Sequence, residues 1–403
     1  MNKRRLTRAY ILIGAALLPA ALFARDINLD DIYLRKDSPT ARRLPVQKLD
    51  AYQSVRAHLV DRGVIFAGWL VGPELFYIQE APGLSTNIIS TYNADKQRRT
   101  EITRIPGVIT AVRPSSDGGF IAIKRLIQRD EIVPGGETVI YSFRTGKTLA
   151  FATPTGFLDF DIPEGAASIV YEASEGMVEY HPDTGRRRLV MEKRKYASYV
   201  VRGGATVALL SPGRGHTLLI SGGGGNYSAR IFGGPASFAV SGIGSAAETY
   251  WLDAHTLAFR GGAPGSYSVQ LYDIRKRSSA TLLPSSLNTA ITYSRHSSTL
   301  SFLSDQLICL YDLHSARTLM TGLEGEEVSL SPNGGRFISI LNGRLFIVNI
   351  LGIGRNELLL RRSWSKILAT YRELERERSH WENEYSLDYI RRKIRLYSSL
   401  IDG

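Results

Sequence analysis

The chain has 403 residues, of which 43% are hydrophobic and 22% are charged, and its formal net charge is +12. This composition is that of a globular protein, and the single cysteine excludes an internal disulfide. The 38 glycines and 20 tyrosines favour β structure with frequent turns. Beyond Arg25, no apolar stretch is long enough to span a bilayer.

The N-terminus has the order of a secretory signal. Its first residues carry four positive charges, on Lys3, Arg4, Arg5 and Arg8. An uncharged stretch follows from 9 to 24, which predicts export. Residues 1–24 are therefore a signal peptide cleaved after Ala24 or, since Leu22 is large for a cleavage site, an uncleaved inner-membrane anchor. The mature chain is expected in the periplasm or another extracytoplasmic compartment.

Residues 25–62 are interpreted as a linker and a short helix. Four apolar residues are spaced for one helix face, namely Leu49, Tyr52, Val55 and Leu59. Gly63 suits the end of this helix. We expect the helix to cover one side of the domain that follows.

The middle of the chain repeats a tyrosine, a polar turn and a short apolar run. The tyrosines are Tyr92, Tyr141, Tyr180, Tyr272 and Tyr311. The long gap before Tyr272 is two units, with the missing member near Ile231, and a seventh copy lies at Val348. Upstream of these hairpins the chain repeats a turn and a strand, as in "SPNGGRFISI". Seven such units, each about 40 residues long with room for four short strands, are typical of a β-propeller.

The predicted fold is all-β, a seven-bladed β-propeller of four-stranded antiparallel blades over residues 63–362. A short N-terminal helix and a C-terminal helical tail flank it. In the last unit the four strands would be "EEVSLS", "RFISIL", "RLFIVNI" and "NELLLR". That interpretation requires no strand from the N-terminus and leaves the closure of the ring open.

Two of the turn-and-strand segments, "SPNGGRFISI" and "SSDGGFIAI", resemble the "SPDG" segment of TolB-type and WD-like propeller repeats. The "LYD" triplets resemble the strand that follows it. The resemblance covers about residues 63–362 and implies a propeller protein of the bacterial envelope. No unit ends in Trp-Asp, and the segment 25–62, between the export signal and the first blade, is too short for the N-terminal domain of TolB.

The tail, residues 363–403, has a helical pattern. Its apolar stripe comprises Trp364, Ile367, Tyr371, Leu374, Trp381 and Tyr385. The pattern resumes after Ser386, a candidate N-cap, so the tail forms one long helix or a helical hairpin. The stripe packs on the propeller or binds a partner, including a second copy. If it binds a partner, a chain ending at Arg362 should stay folded.

The only cysteine, Cys309, lies near Asp312 and His314 in "ICLYDLHSARTLM". Alternation along a strand places Cys309 and Asp312 on opposite faces, so they cannot cooperate, and Cys309 is expected to be a small buried hydrophobe. His255 and His296 occupy corresponding turns of adjacent repeats and are expected on the same rim. The seven histidines have no paired metal-ligand spacing. The glycine-rich loop "GGGGNY" (222–227) could cradle an anion, but a tight turn explains it better.

These observations assign no catalytic, cofactor-binding or metal-binding residues and predict no cofactor. The favoured function is a non-catalytic binding or scaffolding protein of the cell envelope, using the propeller rim and the helical tail for protein contacts. Its partners would be envelope proteins, with a membrane surface met through the N-terminus, and not nucleic acid; the oligomeric state stays open. The alternative is an extracytoplasmic hydrolase or lyase with acidic residues in the central channel. Candidates for that role are Asp161, Glu164, Asp253 and Asp305.

Overall fold

The computed structural model of the chain describes residues 28–35, 37–81, 86–115, 118–127, 135–152, 168–181, 184–201, 205–223, 226–233, 237–246, 248–263, 265–377 and 384–402. The predicted signal peptide or anchor at 1–24 lies outside these residues. In the part of the chain that is described, none of the helices is both long and apolar enough to cross a membrane.

The described strands form seven antiparallel sheets, which are the blades of a β-propeller. Blade 1 comprises β2 (Val64–Trp69), β3 (Glu74–Glu80), β4 (Thr86–Asn93) and β5 (Arg98–Pro106). Blade 2 comprises β6 (Val108–Pro114), β7 (Phe120–Ile127), β8 (Gly135–Ser142) and β9 (Thr148–Ala152). Blade 3 comprises β10 (Ile169–Glu172), β11 (Gly176–His181) and β12 (Arg186–Glu192). Blade 4 comprises β13 (Ala205–Leu210), β14 (Thr217–Gly223), β15 (Asn226–Phe232) and β16 (Phe238–Val240). Blade 5 comprises β17 (Thr249–Trp251), β18 (Thr256–Ala263), β19 (Ser266–Asp273) and β20 (Ser278–Ser286).

Blade 6 comprises β21 (Thr292–Ser294), β22 (Thr299–Ser304), β23 (Leu307–Asp312) and β24 (Arg317–Glu324). Blade 7 comprises β25 (Glu327–Leu330), β26 (Arg336–Leu341), β27 (Arg344–Asn349) and β1 (His58–Arg62). The helices are α1 (Leu29–Tyr33), α2 (Leu44–Ser54), α3 (Lys193–Tyr196), α4 (Ile350–Arg355), α5 (Glu357–Arg376) and α6 (Glu384–Asp402).

The repeat found in the sequence marks the strand next to the outermost one in each blade, which is the third strand wherever four are described. All five tyrosines of the repeat lie in such strands, and Ile231 and Val348 occupy the third strands of blades 4 and 7. Both of these side chains are fully buried. The position holds an aromatic or aliphatic residue in every blade because it faces the layer between neighbouring sheets, where apolar surface is removed from water. The seven-bladed fold is confirmed.

The prediction for the last blade is wrong in its fourth strand. The N-terminal strand β1 supplies it, since β1 pairs antiparallel with β27 from His58 opposite Ile347 to Arg62 opposite Arg344. The ring is therefore closed by strands from both ends of the propeller segment, which begins at residue 58 and ends its last strand at Asn349. Pairing across nearly the whole chain leaves no local sequence signal, which is why the pattern did not reveal it.

The segment "NELLLR" is helical instead of a strand. The Asn349 side chain accepts a hydrogen bond from the backbone N–H of Leu351 and caps α4. A short leucine run fits either structure, and here burial at helical spacing decides: Leu360, Trp364 and Ile367 all face the core. Helix therefore begins before residue 363. The tail forms two helices, α5 and α6, and Ser386 lies inside α6, so it is not its N-cap; Trp381 lies outside the described residues.

The N-terminal helix α2 also ends earlier than predicted. Tyr52 and Val55 are buried as expected, and Leu49 packs against the same core. Arg56 adopts a positive φ of 57°, which ends the helix well before Gly63 and turns the chain into β1. Leu59 is therefore a strand residue, and its side chain is 38% exposed.

Helices α1, α2, α4, α5 and α6 form one layer, here called the helical layer, that packs against blades 6 and 7. They share one apolar core with strands of both blades. Antiparallel order places the turns between the second and third strands of every blade at one face of the ring, here called the lower face. The other hairpin turns lie at the upper face. The helical layer covers the outer halves of blades 6 and 7 and reaches the lower face at Gln306 and Asn342.

Candidate functional site

The inner strands of the blades are joined to one another by side chains. An aromatic donor at the end of one inner strand bonds a backbone carbonyl of the preceding blade. The bonds run from Trp69 Nε1 to the Ser329 oxygen (3.1 Å), from Trp251 Nε1 to the Leu209 oxygen (3.1 Å) and from the Tyr293 hydroxyl to the Leu252 oxygen (3.2 Å). Inner-strand carbonyls that lack a ladder partner are thereby satisfied, which makes the wall of the channel rigid.

The central channel is bridged from blade 2 to blade 5. Before β17, the chain of blade 5 passes through an isolated bridge between Ile243 and Gly261. Just after this bridge, the Ala246 carbonyl accepts a hydrogen bond of 2.9 Å from the Arg113 guanidinium, which belongs to the inner strand of blade 2. The contact joins blades that are not neighbours and narrows the space that a substrate would need.

Two of the four acidic residues proposed for a catalytic channel are described, and they lie at opposite faces of the ring. Asp253 lies in a hairpin turn at the upper face, where its carboxylate accepts the backbone N–H groups of His255 and Thr256. Asp305 lies at the lower face, with a positive φ of 49°, and accepts the Leu287 N–H at 2.8 Å. Both carboxylates therefore have turn-stabilising roles. Asp161 and Glu164 lie outside the described residues.

The histidines of the upper face sit as the repeat predicted, in corresponding turns. His255 follows β17 and His296 follows β21, at the same face of adjacent blades. The His255 ring packs against the ring of His216 in blade 4, at 6.0 Å between ring centroids. Over the described ranges, no cluster of three or more His, Cys, Asp or Glu side chains is placed to hold a metal ion.

Cys309 is a core residue of blade 6. Its side chain is 2% exposed and packs in the apolar layer between blades 5 and 6, whereas Asp312 and His314 are exposed in the hairpin turn. Burial raises the pKa of the Cys309 thiol to about 12, so little thiolate forms at neutral pH. Cys309 thus faces the core and is separated from Asp312 and His314, as the alternation along the strand predicted.

A thiol reagent should therefore label Cys309 only when the protein unfolds. At pH 8 we expect labelling of native protein to be at least about a hundredfold slower than labelling in denaturant, because the thiol is both buried and protonated. The measurement is a timed reaction with a chromogenic disulfide reagent. Fast labelling of native protein would contradict the packing of blade 6.

A cleft of about 440 Å³ opens on the lower face between blades 4 and 5. Its lining is glycine-rich and mixes polar and apolar groups, and consists of Val201, Tyr227, Ser228, Gly242, Ile243, Gly262 and Ala263. Tyr227 is the last residue of the loop "GGGGNY", of which residues 224 and 225 lie outside the described residues. Gly262 has a positive φ of 91°, and a side chain there would meet the Ser266 carbonyl at 2.2 Å. This position beside the cleft therefore requires glycine.

The helical layer is fastened to the propeller by a buried cluster of charges, here called the charge cluster: Asp30, Lys48, Glu324 and Lys393. Lys48 contacts both Asp30 and Glu324, and Lys393 lies 2.7 Å from the other carboxylate oxygen of Glu324. The Lys393 ammonium also donates to the Asp305 carbonyl. These four side chains are between 0 and 11% exposed.

Tyrosine hydroxyls complete the hydrogen bonding of the cluster. Tyr397 donates to Glu324 at 2.7 Å and Tyr389 donates to Asp30 at 2.7 Å. Burial alone would raise the pKa of the Glu324 carboxyl, but Lys393 and Lys48 outweigh it and hold this pKa below its usual value. The cluster thus joins α1, α2, α6 and the outer strand of blade 6. Removing any one of its charges would leave an opposite charge buried without that partner. Sequence reasoning missed it because its members are far apart in the chain.

Trp364 forms a second attachment point. Its Nε1 donates a 2.8 Å hydrogen bond to the Gly322 carbonyl on β24. Gly322 has a positive φ of 70°, and an added Cβ would lie 2.0 Å from the indole ring. The outer strand of blade 6 therefore twists away from its neighbours at a residue that must be glycine.

Gly322→Ala should lower the free energy of unfolding by about 2–4 kcal/mol, because it combines backbone strain with a clash. Gly63→Ala is the matched control. Gly63 has a similar φ of 67° but nothing within 4 Å of an added Cβ, so only the backbone strain of about 1–2 kcal/mol applies. Denaturant unfolding of the two variants measures the difference, and equal losses would refute the contact with Trp364.

Comparison with known proteins places the fold but not the family. No protein-family model matches the sequence, and no curated protein matches it. Among solved structures, one chain of a mitotic checkpoint complex is similar over 73% of this chain and 91% of its own, with 12% identity and a TM-score of 0.50. The likeness lies in the propeller.

Two other solved structures match this chain at lower TM-scores. Hydrazine synthase of Kuenenia stuttgartiensis matches over 72% of this chain and 96% of its own, with 13% identity and a TM-score of 0.48. TolB of Acinetobacter baumannii matches over 56% and 55%, with 13% identity and a TM-score of 0.37. At such identities the similarities concern the fold alone.

Proposed function

We propose that this protein is an exported, non-catalytic binding propeller of the bacterial cell envelope that holds protein partners. The observation that carries this proposal is the contrast between the channel and the surface. Arg113 bridges the channel to Ala246, and the acidic candidates that are described lie at opposite faces. The cleft between blades 4 and 5, in contrast, offers an open surface of mixed polar and apolar groups.

The lining of the cleft suits a peptide segment from another protein. Tyr227, Ile243 and Ala263 provide apolar contact, and Ser228 provides a hydrogen-bonding hydroxyl. The named lining residues include no His, Cys, Asp, Glu or Lys that could activate the Ser228 or Tyr227 hydroxyl, so the cleft suits binding better than bond-making chemistry. The compartment is proposed from the charged, then apolar N-terminal sequence, which has the order of an export signal.

The experiment is a pull-down from chemically crosslinked envelopes of the producing bacterium, comparing two variants. Ala263→Trp fills the cleft from an exposed position and should abolish recovery of the partner. Val71→Trp is the control, because Val71 is 67% exposed in a turn of blade 1 at the upper face. It should leave recovery unchanged.

Equal recovery by the two variants would refute the cleft as the contact site. Recovery of no protein by the unaltered chain would contradict the binding function itself. Location is checked separately by cell fractionation, and a cytoplasmic protein would contradict the proposed export.

A further inference from the structure

The outward face of α5 carries a row of cations, here called the basic stripe: Arg362, Lys366, Arg372 and Arg376. All four side chains are exposed. At about 100° per residue the four cations lie within an arc of about 120° around the helix, with Arg362 and Arg376 near its middle. The opposite face of α5 is fully engaged with the propeller core through residues such as Trp364 and Tyr371.

The charge of the stripe is not neutralised by its neighbours. Among the described residues, none of its four cations forms an ion pair. The two acidic residues that share this side of α5 are already paired: Glu357 with Arg361 at 2.9 Å and Glu373 with Arg43 at 2.7 Å. A net positive surface about 20 Å long, from Arg362 to Arg376, therefore faces away from the propeller.

Exposed leucines border the first turn of the stripe. Leu358 is 68% exposed, Leu359 is 46% exposed, and Leu351 on the preceding helix α4 is 66% exposed. Leucines that remain in water beside a row of cations have the composition of helices that lie on a membrane surface. There the cations meet lipid phosphates and the apolar side chains enter the interface.

The path of the N-terminus points to the same partner. Asp30 accepts a hydrogen bond from the Tyr371 hydroxyl on α5 at 3.1 Å, and Thr40 contacts Glu377 directly after that helix. Asn28 bonds Gln306 and Asn342 at the lower face of blades 6 and 7, so the chain enters the helical layer there. The sequence before Asn28 carries four cations followed by an apolar stretch, the order of a membrane-targeting segment.

We propose that the basic stripe and its leucines dock the protein on the surface of a bilayer containing anionic phospholipids. The cations of the stripe contact lipid phosphates. Each such cation increases partitioning of the protein from water to the membrane surface about fivefold. Docking would orient the propeller with blades 6 and 7 toward the membrane. The cleft between blades 4 and 5 would stay clear of that contact. This inference is independent of the identity of any protein partner.

The test is sedimentation of the full chain with vesicles of phosphatidylcholine alone or with one third phosphatidylglycerol. Binding to the neutral vesicles reports the apolar N-terminal segment. The additional binding to the anionic vesicles reports the cations of the chain, and the part that the stripe variant loses reports the stripe. The stripe variant is R362Q/K366Q/R372Q/R376Q. The control variant removes four exposed cations from blades 1, 2, 3 and 5 and has the same net charge: R98Q/K147Q/R186Q/R275Q.

We expect the stripe variant to lose the additional binding at least tenfold, and the control variant to stay within twofold of the unaltered chain. Raising the salt to about 0.5 M should remove the additional binding of the unaltered chain. Equal losses in the two variants would show that net charge alone acts, and no loss in either would exclude the stripe; each result overturns the proposal. Unchanged circular dichroism spectra confirm that both variants are folded.

Discussion

Glu324→Ala should lower the free energy of unfolding by about 3–5 kcal/mol, the largest effect we expect from a single substitution. The carboxylate is 1% exposed and faces the ammonium groups of both Lys48 and Lys393. Its removal leaves two buried cations with only Asp30 as a counter-charge, and it also leaves the Tyr397 hydroxyl without an acceptor. A loss of this size is a large part of the roughly 5–15 kcal/mol by which domains are stable.

Denaturant unfolding followed by tryptophan fluorescence measures this effect. Asp95→Ala is the matched control, because Asp95 forms an exposed ion pair with Arg336 at 2.7 Å and should cost less than about 0.5 kcal/mol. Similar losses in the two variants would show that the charge cluster does not hold the helical layer in place.

Acid should act through the same cluster. The pKa values of Glu324 and Asp30 are both held below their usual range in the fold, since Lys48 and Lys393 outweigh the effect of burial. Their contribution to stability is therefore present above about pH 4.5 and is lost as the pH falls through the lowered values. Glu324→Ala should flatten this acid dependence, and an unchanged acid transition would contradict the assignment.

A chain that ends at Arg362 should fail to fold. The buried side chains it lacks are Trp364, Ile367, Leu368, Tyr371, Leu374, Tyr389, Ile390 and Tyr397. Each contributes about 1.5–3 kcal/mol by burial, so their sum exceeds the net stability of a typical domain. The truncation also removes Lys393 and leaves Glu324 without one of its cations. The expectation that such a chain stays folded and only loses a partner is therefore not supported by the packing.

The measurement is the yield and thermal unfolding of the truncated chain beside the whole chain. We expect aggregation, or the absence of a cooperative transition. A chain shortened only at its end, after Leu400, is the control: it keeps all of these buried side chains and should unfold like the whole chain. A cooperative transition near that of the whole chain after truncation at Arg362 would show that the helical layer is dispensable.

The repeat and the tail differ in how well the sequence predicts them. Each blade has a tyrosine, or in its place Ile231 or Val348, in the strand next to its outermost one. The recurrence of this residue, followed by a polar turn, predicted all seven blades. The amphipathic spacing of Trp364, Ile367 and Tyr371 likewise predicted the helix that they form. In the segment "NELLLR", however, the leucine run fits a strand as well as a helix. Only its burial against blades 6 and 7 selected the helix.

Cys309 and the charge cluster show the same division at the level of side chains. Alternation along a strand was sufficient to place Cys309 in the core and Asp312 in solvent, because that rule is local. Asp30, Lys48, Glu324 and Lys393 look like ordinary surface charges in the sequence.

Local periodicity thus predicts the strands, the number of blades and the amphipathic helices, since each depends on neighbours within a few residues. The closure of the ring by β1, the charge cluster and the bridge from Arg113 across the channel depend on contacts between segments that are distant in sequence. Such contacts have no period along the chain. They form only when the whole fold packs. A charge is buried only where an opposite charge lies beside it, and the edge of β27 is covered only because β1 pairs with it.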